Sequence, residues 1–219
     1  MNLTDALIPP GWNGLWWPFL ALLGVVLWRA PWVMLRKPGV LNLMLGASVL
    51  VLAYWQIHAG LRPGLGMHLL GATLLTLLFG PWFGFLIVLV ALVLNTAWFG
   101  GAWYALPLNA WVMGVVPVTV SWALYRLVEA KLPNHLFIYI FINAFLGAGL
   151  AVMATGLMAV GVLTAMGDYS WLDLSHNYLP YYFLMAWSEA VTTGMLITVL
   201  VVYKPQWVAT FNDKQYLDQ

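Results

Sequence analysis

Cysteine is absent from the 219 residues, and charge is nearly so: Asp, Glu, Lys and Arg together make up 7%, against roughly 25% in a soluble domain. Without a thiol there is no disulfide, no Cys-ligated cluster and no thiolate nucleophile, so a metal could be held only by nitrogen and oxygen donors. Eight Lys and Arg scattered along the chain cannot form the basic stripe that nucleic acid requires, so no nucleic-acid partner is expected. No Walker loop occurs either, which argues against an enzyme that hydrolyses nucleotide by itself. What fills the chain instead is hydrocarbon. Hydrophobic residues make up 63%, with 14 Trp and 10 Tyr, an aromatic load that gathers at bilayer interfaces. The balance is that of an all-α integral membrane protein, a polytopic helical bundle whose partner is membrane lipid.

Each crossing of about 30 Å of hydrocarbon takes about 20 apolar residues. Candidate spans lie at 15–35, 39–59, 105–126, 135–166 and 179–203. Between them, 65–99 is split by Gly80-Pro81 and Gly84 into arms of about 14 and 16 residues, the first short for a crossing. It reads as a helical hairpin, either two short spans or a re-entrant pair, which brings the total to about seven spans. Orientation follows the retention of Lys and Arg on the cytoplasmic side. With the N-terminus outside and the C-terminus cytoplasmic, Arg29, Arg36, Lys37, Arg126, Lys131, Lys204 and Lys214 fall inside and only Arg62 outside. The segment Met1 to Trp17 has no basic leader and carries Asp5, Pro9 and Pro10, unlike a secretory signal peptide. The expected organisation is one transmembrane domain over 1–219, with an outer segment 1–14, a bundle 15–203 and a cytoplasmic tail 204–219, as a multi-pass protein of a bacterial inner membrane.

On this topology the metal-ligand residue types gather outside. His58, His68, His176, Asp5, Asp168, Asp173 and the α-amino group of Met1 map to the outer face or outer span ends, and His135 to the inner end. Imidazole and carboxylate without thiolate suit a divalent transition metal as substrate. For any single His at a span end, interfacial filler is the commoner role, and Asp168 and Asp173 read as solvated loop residues. Glu189 differs, because it lies about ten residues into the last span, where a charge costs roughly 2.5–3.5 kcal/mol. It reads as a structural clamp or as part of a substrate or proton path. Asn95, Asn109 and Asn143 read as interhelical hydrogen-bonding residues, and the runs Gly147-Ala148-Gly149 and Ala154-Thr155-Gly156 as sites of close helix packing.

Several blocks then form an ordered set. Met1-Asn2-Leu3-Thr4-Asp5-Ala6-Leu7-Ile8-Pro9-Pro10, Gly66-Met67-His68-Leu69-Leu70-Gly71, Gly80-Pro81-Trp82, Asn95-Thr96-Ala97-Trp98-Phe99-Gly100, Leu106-Pro107-Leu108-Asn109, Met113-Gly114 and Glu189-Ala190-Val191-Thr192-Thr193-Gly194 follow one another, with Pro205 after. This series resembles the CbiM/NikM family, the cobalt- and nickel-capturing membrane components of energy-coupling factor ABC transporters. The resemblance implies metal capture from outside by the amine and backbone of Met1 and Asn2 and by His68, with nickel or cobalt favoured. It also implies a coupling transmembrane subunit and two cytoplasmic ATPases as partners. Where the family has His at the second position this chain has Asn2, so one imidazole is missing, and Asp5, His58 or His176 are the residues that could compensate.

Two readings follow from the residues and the resemblance. One is the substrate-capture membrane component of such a transporter. The other is a structural or accessory subunit of a different membrane complex that reuses the fold. A bis-His haem site is not expected, because no opposed His pair occurs at mid-span.

Overall fold

The computed structural model describes residues 3–9, 11–60, 65–98, 102–167, 169–212 and 216. Arg62 and Lys214, which entered the charge count above, and Asp168 lie outside the described residues, as do Phe99 and Gly100 of the motif series. The protein is a helical membrane bundle. In chain order it comprises α1 (Trp16–Arg29), α2 (Val40–Trp55), a two-stranded antiparallel ladder of β1 (His58–Gly60) and β2 (Gly66–His68), α3 (Ala72–Trp98), α4 (Leu106–Lys131), α5 (Leu136–Met166), α6 (Trp171–Asn177) and α7 (Leu179–Tyr203). Of these, α3, α4, α5 and α7 are long and apolar enough to cross a membrane. The first two helices are shorter than the sequence pattern suggests. Pro31, which has no backbone N–H to continue the ladder, follows the end of α1, and the rest of the expected first span is a 3-10 turn at Trp32–Arg36. The strand pair was not anticipated, since three-residue strands carry too little alternation to stand out in a sequence this apolar.

The region 65–99 is a hairpin with arms unlike those expected. Gly80 adopts φ 78° and ψ 172°, a conformation open to glycine and closed to other residues, and Pro81 follows it. The chain reverses there. A Cβ on Gly84 would stand 3.1 Å from the Thr76 Cα, eight residues back, whereas eight residues of straight helix would separate the two by about 12 Å. The first arm, 72–79, is therefore a half-helix of about 12 Å and the second a helix of about 27 Å.

Breaking a helix within a bilayer frees backbone groups that no water can satisfy. Here both ends of the half-helix find partners. At its start, Leu70 N–H donates to Glu189 Oε2 at 2.8 Å and Gly71 N–H to Oε1 at 2.6 Å. At its end, the Leu78 carbonyl accepts from Ala209 N–H at 3.0 Å, and the Leu77 carbonyl accepts from Thr210 N–H and Oγ1 at 3.3 and 2.7 Å. Thr210 is held in turn by Tyr125 and Tyr139, and Tyr139, Phe211 and Tyr216 pack ring against ring. Glu189 is the eleventh residue of α7, about 15 Å from its start. The half-helix thus begins near mid-depth and ends at the face that carries the C-terminal segment.

Small residues set the spacing between α5 and α7, as the sequence suggested. Gly149 faces the Ala186 carbonyl, and a Cβ on Gly156 would fall 2.5 Å from the Tyr182 ring. Two stretches, Trp111–Val115 in α4 and Tyr139–Leu146 in α5, are wound as π-helix. The first lies directly ahead of Pro117, which cannot donate to the carbonyl four residues earlier, so the wider turn absorbs the missing bond. Of the three asparagines expected to bond between helices, Asn95 Oδ1 accepts from Gln56, just past the end of α2, at 3.5 Å, whereas Asn109 bonds the backbone of Leu3 in the non-helical N-terminal segment. Asn143 departs from that expectation: it is buried, and neither amide atom finds a partner among the described residues.

Two stability measurements follow. Gly156→Ala forces Tyr182 aside and should cost about 1–3 kcal/mol, whereas Gly161→Ala in the same helix meets nothing within 4 Å and should leave the melting temperature in detergent unchanged. Glu189→Ala strands two buried N–H groups at about 1–3 kcal/mol each and should lower Tm strongly. Glu189→Gln keeps one acceptor oxygen and should fall between. Equal Tm for the Ala variant and the native protein would refute the clamp.

Candidate metal-capture site

The N-terminal segment reaches the bundle by backbone contacts made to side chains rather than by helix packing alone. Leu3, 2% exposed, is clasped on both sides by Asn109 near the start of α4: Leu3 N–H donates to Asn109 Oδ1 at 3.0 Å, and Asn109 Nδ2 donates to the Leu3 carbonyl at 3.1 Å. An amide side chain offers one donor and one acceptor side by side, so it serves one residue of backbone as a neighbouring strand would. Two residues on, Asp5 Oδ1 accepts from Ala105 N–H at 2.9 Å, at the start of α4, where free N–H groups attract a carboxylate. Asn109 and Asp5 are thus both occupied in holding the chain behind Leu3. Met1 and Asn2 themselves lie outside the described residues.

The ladder delivers the second element. His58 and His68 are directly paired across the two strands, as are Gly60 and Gly66, so the two imidazoles leave the same side of the ladder. Their environments differ. His58 is exposed, with Nδ1 on the Gln56 carbonyl at 3.0 Å. His68 is 6% exposed and lies against Trp55, ring centroids 4.8 Å apart, and Trp55 Nε1 donates to the Leu70 carbonyl at 3.2 Å. The expectation that His68 sits on a short helix at the outer surface is therefore replaced by a strand position inside the bundle, two residues from the amide groups that Glu189 holds.

His68 Nδ1 is 3.0 Å from the Leu69 carbonyl. A carbonyl only accepts, so Nδ1 carries the hydrogen, and in the neutral ring Nε2 presents a bare lone pair. Nε2 is buried and has no partner among the described residues. Burial pushes the imidazole well below the usual value of 6.5, because the low-dielectric surroundings disfavour the cation. A neutral imidazole fixed through Nδ1 to a carbonyl, with Nε2 free, is the arrangement of a metal-ligating histidine.

The remaining candidates stand apart from it. His176 is exposed on α6, with Nδ1 2.8 Å from the Leu172 carbonyl. His135 caps α5 by accepting from Phe137 N–H at 3.2 Å. Glu189 is held between the Leu70 and Gly71 amides. No group of three or more His, Asp or Glu side chains comes together among the described residues, so the described side chains alone do not complete a metal shell around His68. What sequence reasoning missed is Trp55 and the Asn109 clasp on Leu3, since neither ring contacts nor backbone mimicry leave a local pattern.

The family described as the cobalt uptake substrate-specific transmembrane region, CbiM, matches residues 2–207. The cobalt transport protein CbiM of Acetohalobium arabaticum is 25% identical over 206 residues, covering 92% of this chain and 80% of that protein. The probable fused nickel transport protein LarMN of Lactiplantibacillus plantarum is 34% identical over 116 residues, which is 52% of this chain and about a third of that longer protein, 35%. In fold, the chain matches the crystal structure of a truncated transition metal transporter with a TM-score of 0.73 at 19% identity, over 93% of this chain and 99% of that one. With the half-helix, the buried His68 and the tethered N-terminal segment in place, the match across nearly the whole length means that this chain belongs to the CbiM family.

Proposed function

We propose that the chain is the substrate-capture membrane component of an energy-coupling factor ABC transporter for a divalent transition metal, cobalt or nickel. The observation that carries this reading is His68: a buried, neutral imidazole whose Nδ1 is engaged and whose Nε2 faces no partner among the described residues. The α-amino group of Met1 and the backbone of residue 2 supply the further nitrogen donors. The Asn109 and Asp5 contacts, which anchor the chain one and three residues beyond Asn2, support that role. Asn2 adds no imidazole, so the shell is poorer in nitrogen than the family pattern, and the metal is cargo that the site captures and releases. ATP hydrolysis resides in partner subunits, joined through a coupling transmembrane subunit. The chain lies in a bacterial cytoplasmic membrane with its N-terminus outside and the His68 site opening toward that side. The second reading, an accessory subunit that kept the fold without carrying metal, draws its support from Asn2 alone.

An extra residue before Met1 moves its nitrogen by about 3.8 Å, against a tolerance near 0.2 Å for a metal bond. Nickel or cobalt retained after purification should be lost in that extended protein and in His68→Ala, both still folded, and Asn2→His should tighten binding. With an amine of pKa about 7.7–8.0 and a His68 neutral to well below 6.5, affinity should fall as pH drops below 8 through the amine, and His68 should add nothing until far lower pH. Equal metal content in native, extended and His68→Ala proteins would move the reading to the accessory subunit. Orientation has its own measurement. In this cysteine-free chain, Trp103→Cys and Leu172→Cys should react in intact cells with an impermeant thiol reagent while Lys37→Cys and Lys131→Cys should not, and the reverse pattern would invert the topology.

A further inference from the structure

Away from the His68 site, α2, the half-helix of α3 and α7 enclose a groove of about 770 Å³ that opens sideways from the bundle. Its walls are aliphatic: Leu43 and Leu50 from α2, Leu74 and Leu78 from the half-helix, Leu196 and Leu200 from α7. Few polar groups reach it, and of these the Tyr54 hydroxyl has no partner among the described residues. Glu189 binds the two backbone amides described above, and Thr192 Oγ1 donates to the Ser188 carbonyl at 2.8 Å. A buried water needs about two to four polar partners and a single free hydroxyl in an aliphatic lining does not supply them, so the groove suits hydrocarbon.

Its length selects among apolar occupants. Along α7 it runs from Glu189 to Leu200, and along α2 from Gly39 to Tyr54, about 16 and 22 Å at 1.5 Å per residue. That is one leaflet with its headgroup layer, half of the 40–45 Å of a whole bilayer. Gly71 and Glu189 close it at mid-depth. A transmembrane helix from a partner would need a groove that continues to the other face, whereas an acyl chain ends at the midplane.

The open end is basic. Gly39 at its mouth follows exposed Arg36 and Lys37, and Trp207, the other residue at the mouth, lies 6.0 Å below the Lys204 ammonium. The only ion pair among the described residues is Arg126 with Glu129, so no described carboxylate pairs with Lys37 or Lys204. We propose that the groove is a binding site for an anionic phospholipid, its acyl chain between α2 and α7 and its phosphate met by Lys37 and Lys204, with the Trp207 indole at headgroup level. A lipid seated there bears on the same half-helix whose other end holds His68, so its presence stiffens the clamp from the membrane side.

The test is native mass spectrometry of the purified protein offered phosphatidylglycerol or phosphatidylcholine with identical acyl chains. The wild type should retain one phosphatidylglycerol with about thirtyfold preference, in keeping with two lysines near a membrane surface. Lys37→Gln with Lys204→Gln should bind the two lipids equally. Gly46→Leu, at a position with nothing within 4 Å, fills the groove and should lose both lipids while Tm is kept. Equal retention of phosphatidylglycerol by the native protein and both variants would overturn the proposal. So would a photocrosslinker at Leu50 that captures polypeptide instead of phospholipid in native membranes, or a dimer that Gly46→Leu converts to monomer, since these place a partner helix or a second copy of this chain in the groove.

Discussion

Inside a bilayer every backbone N–H and carbonyl has to be satisfied by the protein, and the half-helix at 72–79 obeys this through groups far away in sequence. The Glu189 carboxylate reaches back 118 and 119 residues to Gly71 and Leu70, and residues 209 and 210 reach back to Leu78 and Leu77. A buried carboxylate bound by two amides at a helix start is favoured by the charge-assisted bonds and by the helix dipole. Because Leu70 is fixed from α7, the strand before it is fixed too, and Trp55 adds a bond to the Leu70 carbonyl and a ring against His68. Much of the architecture, from the C-terminal segment to the ladder, is therefore connected through one broken helix.

The polar residues within the spans divide by task. Glu189 and Thr210 close helix ends, Asn109 receives the N-terminal segment, and Thr73 bonds Ser121 at 2.8 Å to tie the half-helix to α4. Asn143 has no partner among the described residues. His68 Nε2 is also unpartnered there, as are the Tyr54 hydroxyl and Thr164 Oγ1, while the Nδ1 of His68 is engaged by the Leu69 carbonyl. On the proposed reading, metal capture draws on two strands of chain that the bundle brings to one place, the N-terminal segment held by α4 and the ladder held by α7.

The same half-helix forms one wall of the apolar groove, whose closed end at Gly71 is three residues from His68 and whose mouth is about two helical turns away. Coupling between membrane composition and the capture site would travel through that short rigid element, whose ends are anchored and whose length leaves no slack.

Composition alone determined that this is a helical membrane protein, since 7% charge and 63% hydrophobic residues leave no other solvent for the chain, and Gly80-Pro81 marked the reversal because only glycine reaches that φ. His68 was legible as a candidate because it stands within an ordered series of motif residues. Burial, tautomer and partner were not legible, because each is set by residues distant in sequence: Trp55 beside the ring, Glu189 on the amides two and three residues after it. The same holds for Glu189 itself. Its depth showed that it needed a partner, and only the packing of α7 against the half-helix decided that the partner is backbone. The local pattern carries solvent and periodicity, whereas satisfaction of buried polar groups is a property of the assembled bundle.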